Sequence, residues 1–326
     1  MNKWSNLFAV ALFSVWIGAY AQSNNLLNKP LKIVVGFPPG GSADTVARAL
    51  AQQLAGLAPA VIVDNKPGAG GRIALETLRN SEADGSTIVL TPASMMVVYP
   101  HIYKKLSYDP VQDFAPITRV AAAPFVLAVG PMVPTEVKTM AAFLKWGKLN
   151  ASKASYGSSG AGSIPHFTGV VLGKTAEFDW MHIAYKGAAP AMNDLLAGQV
   201  AANISVMSNA LPQLQAGKLR ALAISSPQRS ALLPNVPTFA ELGYKDAQAV
   251  EWFGLFAPAK TPPDIVFRLN QAVLAAMKTK GFQDAIQKGS FELAPAETSS
   301  LFGVALRADL SHWGQVVKAS GFTPED

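Results

Sequence analysis

The sequence predicts an α/β protein of two lobes, each with a parallel-rich sheet flanked by helices, joined by a two-segment hinge. Three observations carry this reading. Short apolar runs alternate with stretches of helical periodicity, the pattern of parallel strands joined by crossover helices. Glycine-bearing loops separate strand from helix at several junctions. The chain has 326 residues, more than one hydrophobic core usually holds.

In chain order, residues 31–37 form a short apolar, partly β-branched run stopped by Pro38, Pro39, Gly40 and Gly41. That is a buried strand closed by a turn. Ser42 is placed as the N-cap of a helix over 45–54, where Val46, Leu50 and Leu54 recur at helical spacing and Asp44 sits in the positive first turn. The unit repeats with a strand at 60–63, a loop at 65–71, a helix at 73–79 and a strand at 87–91. Two strand-like stretches follow, 115–121 and 125–129. A second α/β set runs through helix 140–149, strand 154–156, helix 164–172, strand 181–185, helix 190–196 and strand 202–206. Strand 219–225 is read as returning the chain to the first lobe, which 253–256 and helices 262–277 and 301–319 complete. Lobe 1 is therefore placed at 26–122 plus 226–326, lobe 2 at 123–225, and the hinge segments at 121–125 and 225–227.

Half the residues are hydrophobic and 15% are charged, a composition that suits a packed globule rather than a disordered chain. The net charge of +6 is mild, and no long Lys/Arg run offers a nucleic-acid footprint. A mild positive field favours the arrival of small anions. Residues 1–21 read as a secretory signal: Lys3, an apolar stretch over 7–17, then Ala19, Tyr20 and Ala21 as the cleavage site. Cleavage after Ala21 would release a periplasmic protein. The chain has no cysteine, which removes disulfides, thiolate metal sites and thiol nucleophiles.

Three glycine-bearing loops, 37–42, 156–163 and 185–189, each follow a strand and precede a helix. Such loops lie at the carboxyl ends of strands, where α/β sheets bind ligands, and helix starts offer unpaired N–H groups to an anion. Any one loop could equally be a turn and a cap; three, split between two lobes, point to an anion-binding cleft. The competing motifs fail. Residues 169–175 (GVVLGKT) are one residue short of a P-loop, and 68–73 (GAGGRI) lack the third glycine of a dinucleotide fingerprint. Around Ser159, Ala161 stands where a nucleophile elbow needs glycine. His101, His166, His182 and His312 show no metal-ligand spacing. No catalytic residue, metal or cofactor is expected. A serine-dependent hydrolase, the enzymatic alternative, would need a base near Ser158 or Ser159, and only His166 is local.

Residues 33–48 (IVVGFPPGGSADTVAR) resemble the opening of the tripartite tricarboxylate transporter substrate-binding receptors, the Bug-type proteins. Further segments match in order: 63–71 (VDNKPGAGG), 108–117 (YDPVQDFAPI), 185–191 (YKGAAPA), 195–200 (LLAGQV), 216–223 (AGKLRALA), 233–238 (LPNVPT) and 252–258 (WFGLFAP). The similarity covers essentially the whole chain after the leader. It implies a bilobal periplasmic-binding-protein fold, type II-like, that closes on a small carboxylate. It further implies a partner transporter with one large and one small integral membrane subunit. Carried onto this chain, the ligand contacts are Phe37, Pro39, Gly40, Gly41, Ser42 and Asp44, with Ser94, from lobe 1. Lobe 2 would give Gly157, Ser158, Ser159, Gly160, Ser163, His166, Tyr185, Gly187, Ala188 and Ala189. Residues 205–209 (SVMSN) are less acidic than the family's usual stretch, which disfavours an amino-acid ligand and leaves Ser205 and Met207 to line a less polar pocket. The expected protein is a monomeric receptor for a di- or tricarboxylate or an aromatic acid; a sensory receptor feeding a membrane kinase would use the same binding physics.

Overall fold

A computed structural model describes residues 27–185 and 187–323. The leader reading of 1–21, and Lys186, lie outside them. The chain opens with β1 (Leu31–Val35), α1 (Ser42–Gln53), β2 (Val61–Asn65), α2 (Arg72–Arg79), β3 (Thr87–Pro92), α3 (Ala93–Val97) and α4 (Tyr99–Ile102). The strand β4 (Phe114–Val129) then leads into α5 (Met140–Leu149), β5 (Ser155–Ser158), α6 (Ile164–Thr175), β6 (Met181–Ala184), α7 (Ala188–Leu196), β7 (Ala202–Val206), α8 (Met207–Gln215) and β8 (Arg220–Ile224). Last come β9 (Val250–Pro258), α9 (Pro263–Met277), α10 (Lys280–Lys288), β10 (Glu292–Leu293) and α11 (Ser299–Ser320). None of the described helices is long and apolar enough to cross a membrane.

The α/β, two-lobed prediction holds, with one difference. The stretches expected as two strands are a single 16-residue strand, β4, which passes through both lobes. Its register shifts between Pro116 and Thr118 and between Arg119 and Ala121, so the strand bends at bulges instead of ending. Residues 114–124 pair with β9 in lobe 1, and 125–129 pair with β7 and β8 in lobe 2.

Register fixes where the strand ends point. In lobe 1, β1 runs parallel to β2 and β3, β3 is antiparallel to β9, and β9 is antiparallel to β4. So β1 and β3 run the way β4 runs, toward lobe 2. There β7 is antiparallel to β4, while β5 is parallel to both β7 and β6. So β5, β6 and β7 run back toward lobe 1. The carboxyl ends of β1, β2 and β3 therefore face those of β5, β6 and β7 across the space between the lobes.

Each lobe has its own core. Leu31, Ile33, Leu50 and Leu269 are fully buried in lobe 1, and Val126, Leu195, Val200 and Ala210 in lobe 2. Removing one such aliphatic side chain from water contributes roughly 1.5–3 kcal/mol. A third cluster spans both lobes, from Val34, Met96 and Ile102 to Phe125, Phe143 and Phe167. Its seam is α6 against the end of α11, where Phe322 meets His166 and Phe167 edge-on and the Lys174 ammonium donates to the Ala319 carbonyl.

The segment after β8 departs from the expected division. Residues 226–248, assigned to lobe 1, pack mainly on lobe 2, with Ser230 bonded to Glu292 of β10. Ile224 pairs with Thr238, its N–H donates to the Pro237 carbonyl (3.0 Å), and Leu233 and Val236 cover the apolar cluster of Val126 and Ile224. Ser225 follows β8 and lies beside both crossings. Its hydroxyl accepts from the Phe125 N–H (2.8 Å) and donates to the Ala249 carbonyl, tying β4 to the start of β9.

Candidate functional site

The lobe 1 lip is the loop after β1. Gly36 lets it lie against the glycine turn before α2: a Cβ there would sit 2.7 Å from the Gly71 carbonyl oxygen, so any larger residue forces the two backbones apart. Gly40 takes φ +82°, a left-handed conformation glycine adopts without strain. Gly41, not Ser42, is the N-cap of α1; it is extended (φ −75°, ψ 169°), has no side chain to cap with, and leaves Ser42 as the first helical residue. The first-turn amides of α1 therefore have no side-chain cap. Pro39 and Gly40 are exposed, while Phe37 is half-buried and packs against the apolar cores.

Asp44 was expected to face a ligand or settle the helix dipole. Both carboxylate oxygens are instead engaged within lobe 1. Oδ2 accepts from the Gly40 N–H (2.8 Å) and Arg48 Nε (2.9 Å), and Oδ1 accepts from Asn65 Nδ2 (2.9 Å), which also donates to the Phe37 carbonyl (3.0 Å). Burial pushes this carboxyl up, but Arg48, the Gly40 amide and Asn65 outweigh it and hold it below the usual carboxylate range. Asp44 braces the loop from beneath.

Ser94 opens α3, but its partner is Glu251 of β9. The Ser94 N–H (3.0 Å) and hydroxyl (3.0 Å to Oε2) donate to that buried carboxylate, which pairs through its backbone with Ala123 of the crossing strand. Burial raises the Glu251 carboxyl to about 7, against the pull of the Ser94 bonds and the Ala93 amide. The start of α3 is thus filled by the protein's own acid.

In lobe 2, Gly157 and Ser158 are the last residues of β5, not loop residues, because pairing with β6 carries the strand two residues further than its apolar run. Gly157 is required: a Cβ would lie 2.9 Å from Asn203 Nδ2 and 3.0 Å from the Tyr185 ring. The Tyr185 hydroxyl donates to Asp194 (2.9 Å). The Gly187 N–H donates to the Ser159 carbonyl (3.0 Å), so the loops after β5 and β6 form one lip. Ser159 and Gly160 are half-buried there. Ser163 caps α6, accepting from the His166 N–H, and its hydroxyl donates to the Gly160 carbonyl (2.7 Å). Gly187 caps α7 at φ +112° without a side chain, so Ala188 and Ala189 are first-turn helical residues two positions before the expected start. α8 likewise opens on a cap, Val206, that has no hydrogen-bonding side chain, where α5, α10 and α11 carry threonine caps. The lips of the cleft thus hold three helix starts, those of α1, α7 and α8, without side-chain caps. Ser205 is buried at the end of β7 and Met207 is fully buried at the start of α8, so Met207 lines no open surface.

The sequence reading missed His182. It lies on β6, 24 residues from Ser158, yet its Nε2 is 2.8 Å from the Ser158 Oγ. His166 stacks on it (centroids 4.0 Å apart), and His166 Nδ1 accepts from the Gly162 N–H (3.1 Å). Burial pushes His166 down to about 4; burial, then its neighbour His166, pushes His182 to about 3. Both rings are neutral. A serine–histidine contact invites a hydrolytic reading, but Ser158 is fully buried and its oxygen is also bonded to Gly160. The His182 ring also stacks on Tyr156 and His166, and among the described residues no carboxylate is hydrogen-bonded to it. The pair holds the loop after β5. Two surface depressions, of 550 Å³ beside Lys148 and Phe178 and 440 Å³ beside Arg79 and Lys260, lie away from these loops.

Comparison with known proteins fits this geometry. BugT of Bordetella pertussis is 32% identical over 98% of this chain and 99% of its own length. A solved R. palustris protein carrying adipate is 28% identical, with a TM-score of 0.82 over 91% of this chain and 99% of its own. MatC from Rhodopseudomonas palustris, with bound malate, is 27% identical, with a TM-score of 0.76 over 89% and 99%. The periplasmic-binding-protein fold is common to these relatives, and residues 45–322 match the tripartite tricarboxylate transporter family receptor. The chain belongs to that family of Bug-type receptors.

Proposed function

We propose that the protein is a periplasmic receptor that captures a small carboxylate between its lobes and presents it to a tripartite tricarboxylate-type transporter with one large and one small membrane subunit. The observation that carries this is a set of three helix starts without side-chain caps, one from lobe 1 and two from lobe 2, each following a strand that runs toward the other lobe. Unpaired N–H groups at a positive dipole end are an anion site, and none of them performs chemistry. The adipate and malate held by two relatives support a dicarboxylate-sized guest. The ligand-facing residues are Gly40, Gly41 and Ser42 on one side and Ser159, Gly160, Gly187, Ala188, Ala189 and Ser205 on the other. Asp44, Ser163 and His166 position them.

In this reading the protein acts as a monomer without cofactor, exported by its leader and cleaved after Ala21. Lobe 1 is 26–122 plus 250–326, and lobe 2 is 125–248. The chain crosses at 123–125 and 249–250, and the Ser225 clamp keeps the two crossings in step as they twist. A melting-temperature screen against dicarboxylates, tricarboxylates and aromatic acids tests the function. A true ligand at a hundred times its Kd stabilises the native state by about 2.7 kcal/mol and raises Tm by several degrees. A flat response to every acid would refute the carboxylate reading.

A further inference from the structure

Buried polar atoms in folded proteins are almost always paired. Among the described residues, five buried side-chain N or O atoms have no partner, and four of them fall within six residues of chain: Asn203 Oδ1 and Nδ2, Ser205 Oγ and Ser208 Oγ. Asn203 is 1% exposed and Ser205 5%. They are two residues apart on one face of β7, and Ser208 sits in the first turn of α8, which begins where β7 ends. Asn203 pairs in register with Gly157, and its amide lies over that glycine beside the Tyr185 ring. The cluster is therefore just beneath the lobe 2 lip, at the positive end of α8.

We propose that Asn203, Ser205 and Ser208 form a second, uncharged subsite that takes the far carboxylate of a dicarboxylate and lets this chain reject monocarboxylates of the same length. This rests on the reading of the cleft as a carboxylate site. The chemistry of the cluster selects the class. An amide NH2 and two hydroxyls can all donate to a carboxylate, and the helix start adds its own amides. Neighbouring Asp194 is engaged by the Tyr185 hydroxyl. An apolar tail in the same place would leave every one of these groups buried and unpaired, and losing a partner costs a group its full desolvation. The discrimination is set against the wrong ligand as much as for the right one.

The test is calorimetric titration of succinate against butyrate, and of adipate against hexanoate, with the wild type, Asn203→Leu and Ser208→Ala. The wild type is expected to bind the dicarboxylates at least tenfold more tightly than their matched monoacids. Asn203→Leu, close in size and apolar, should shrink that ratio at least tenfold without lowering the Tm of the free protein, since it removes an unpaired amide. Ser208→Ala, the milder change, should shrink it several-fold. If the wild type prefers the diacids and both variants keep the full preference, the subsite is wrong while the carboxylate reading stands. If none of the four acids binds the wild type, the dicarboxylate subsite is refuted, while the carboxylate reading stands or falls separately on the wider melting-temperature screen.

Discussion

Asp44→Ala should weaken carboxylate binding by at least thirtyfold and lower stability by about 2–3 kcal/mol, although the side chain touches no ligand. The carboxylate is the shared acceptor of the Gly40 amide, Arg48 and Asn65. Without it, the Gly40 amide loses its acceptor, Arg48 keeps only Asn65, and residues 37–41 are no longer held beneath the start of α1. The sign of the effect separates two accounts. If Asp44 faced the guest, it would repel an anion, and its removal would tighten binding. Because it braces the loop, removal loosens binding. Calorimetric titration together with a melting curve checks both numbers, and tighter carboxylate binding by the variant would overturn the assignment.

The second large effect is on pH dependence. His166 and His182 are neutral in the fold, with values near 4 and 3 against an ordinary 6.5, so unfolding takes up protons below pH 6.5. Their contribution is complete above about pH 6.5 and is lost as the pH falls toward 4. Glu251 has the opposite sign. Its folded value near 7 lies above the ordinary 4.5, so the fold holds an extra proton between those values and loses stability as the pH rises through the same window. Between pH 7 and 5 the two slopes oppose each other, and the wild type should change little. Glu251→Gln removes one slope. The variant should lose roughly 2–3 kcal/mol between pH 7 and 5, allowing for the partial water access of His182, or about 5 °C of Tm. Adding His182→Gln should roughly halve that loss, leaving the His166 slope. A Glu251→Gln protein as level as the wild type between pH 5 and 7 would contradict the pairing.

Most of the fold was legible because glycine and proline mark its strand ends. The run at 31–37 and its Pro38, Pro39, Gly40 and Gly41 stop, for example, gave β1 and its loop directly. β4 was not legible as one strand: residues 122–124, ending in Pro124, fell between the two expected stretches, yet they pair with 250–252 of β9 without a break. α8 was not seen because it starts at Met207 with no loop after β7, and Pro212 reads as a breaker although it lies inside the helix. The return at 225 was misplaced because Ser225, Ser226 and Pro227 have the composition of a linker, while the residues that hold 226–248 to lobe 2, such as Thr238 against Ile224, act through backbone pairing that composition does not report.

The site was partly legible for the same reason. The three loops were found, but which serines were free was not. Ser158 and Ser163 are consumed within their own loop, and Ser94 is consumed by an acid 157 residues away in the sequence. His182 meets Ser158 only because β5 and β6 pair in one register, a relation that no local signal carries. Asn203 looked like any polar residue in a strand until its surroundings showed that, among the described residues, none pairs with its side chain.

Small-angle X-ray scattering of the free protein and of the protein saturated with the acid that most raises its Tm tests the capture mechanism most directly. Binding at amides from both lobes requires the lobes to approach, so the radius of gyration should fall on saturation and return on dialysis. An unchanged scattering profile at full occupancy would place the guest on one lobe alone and contradict a clamp.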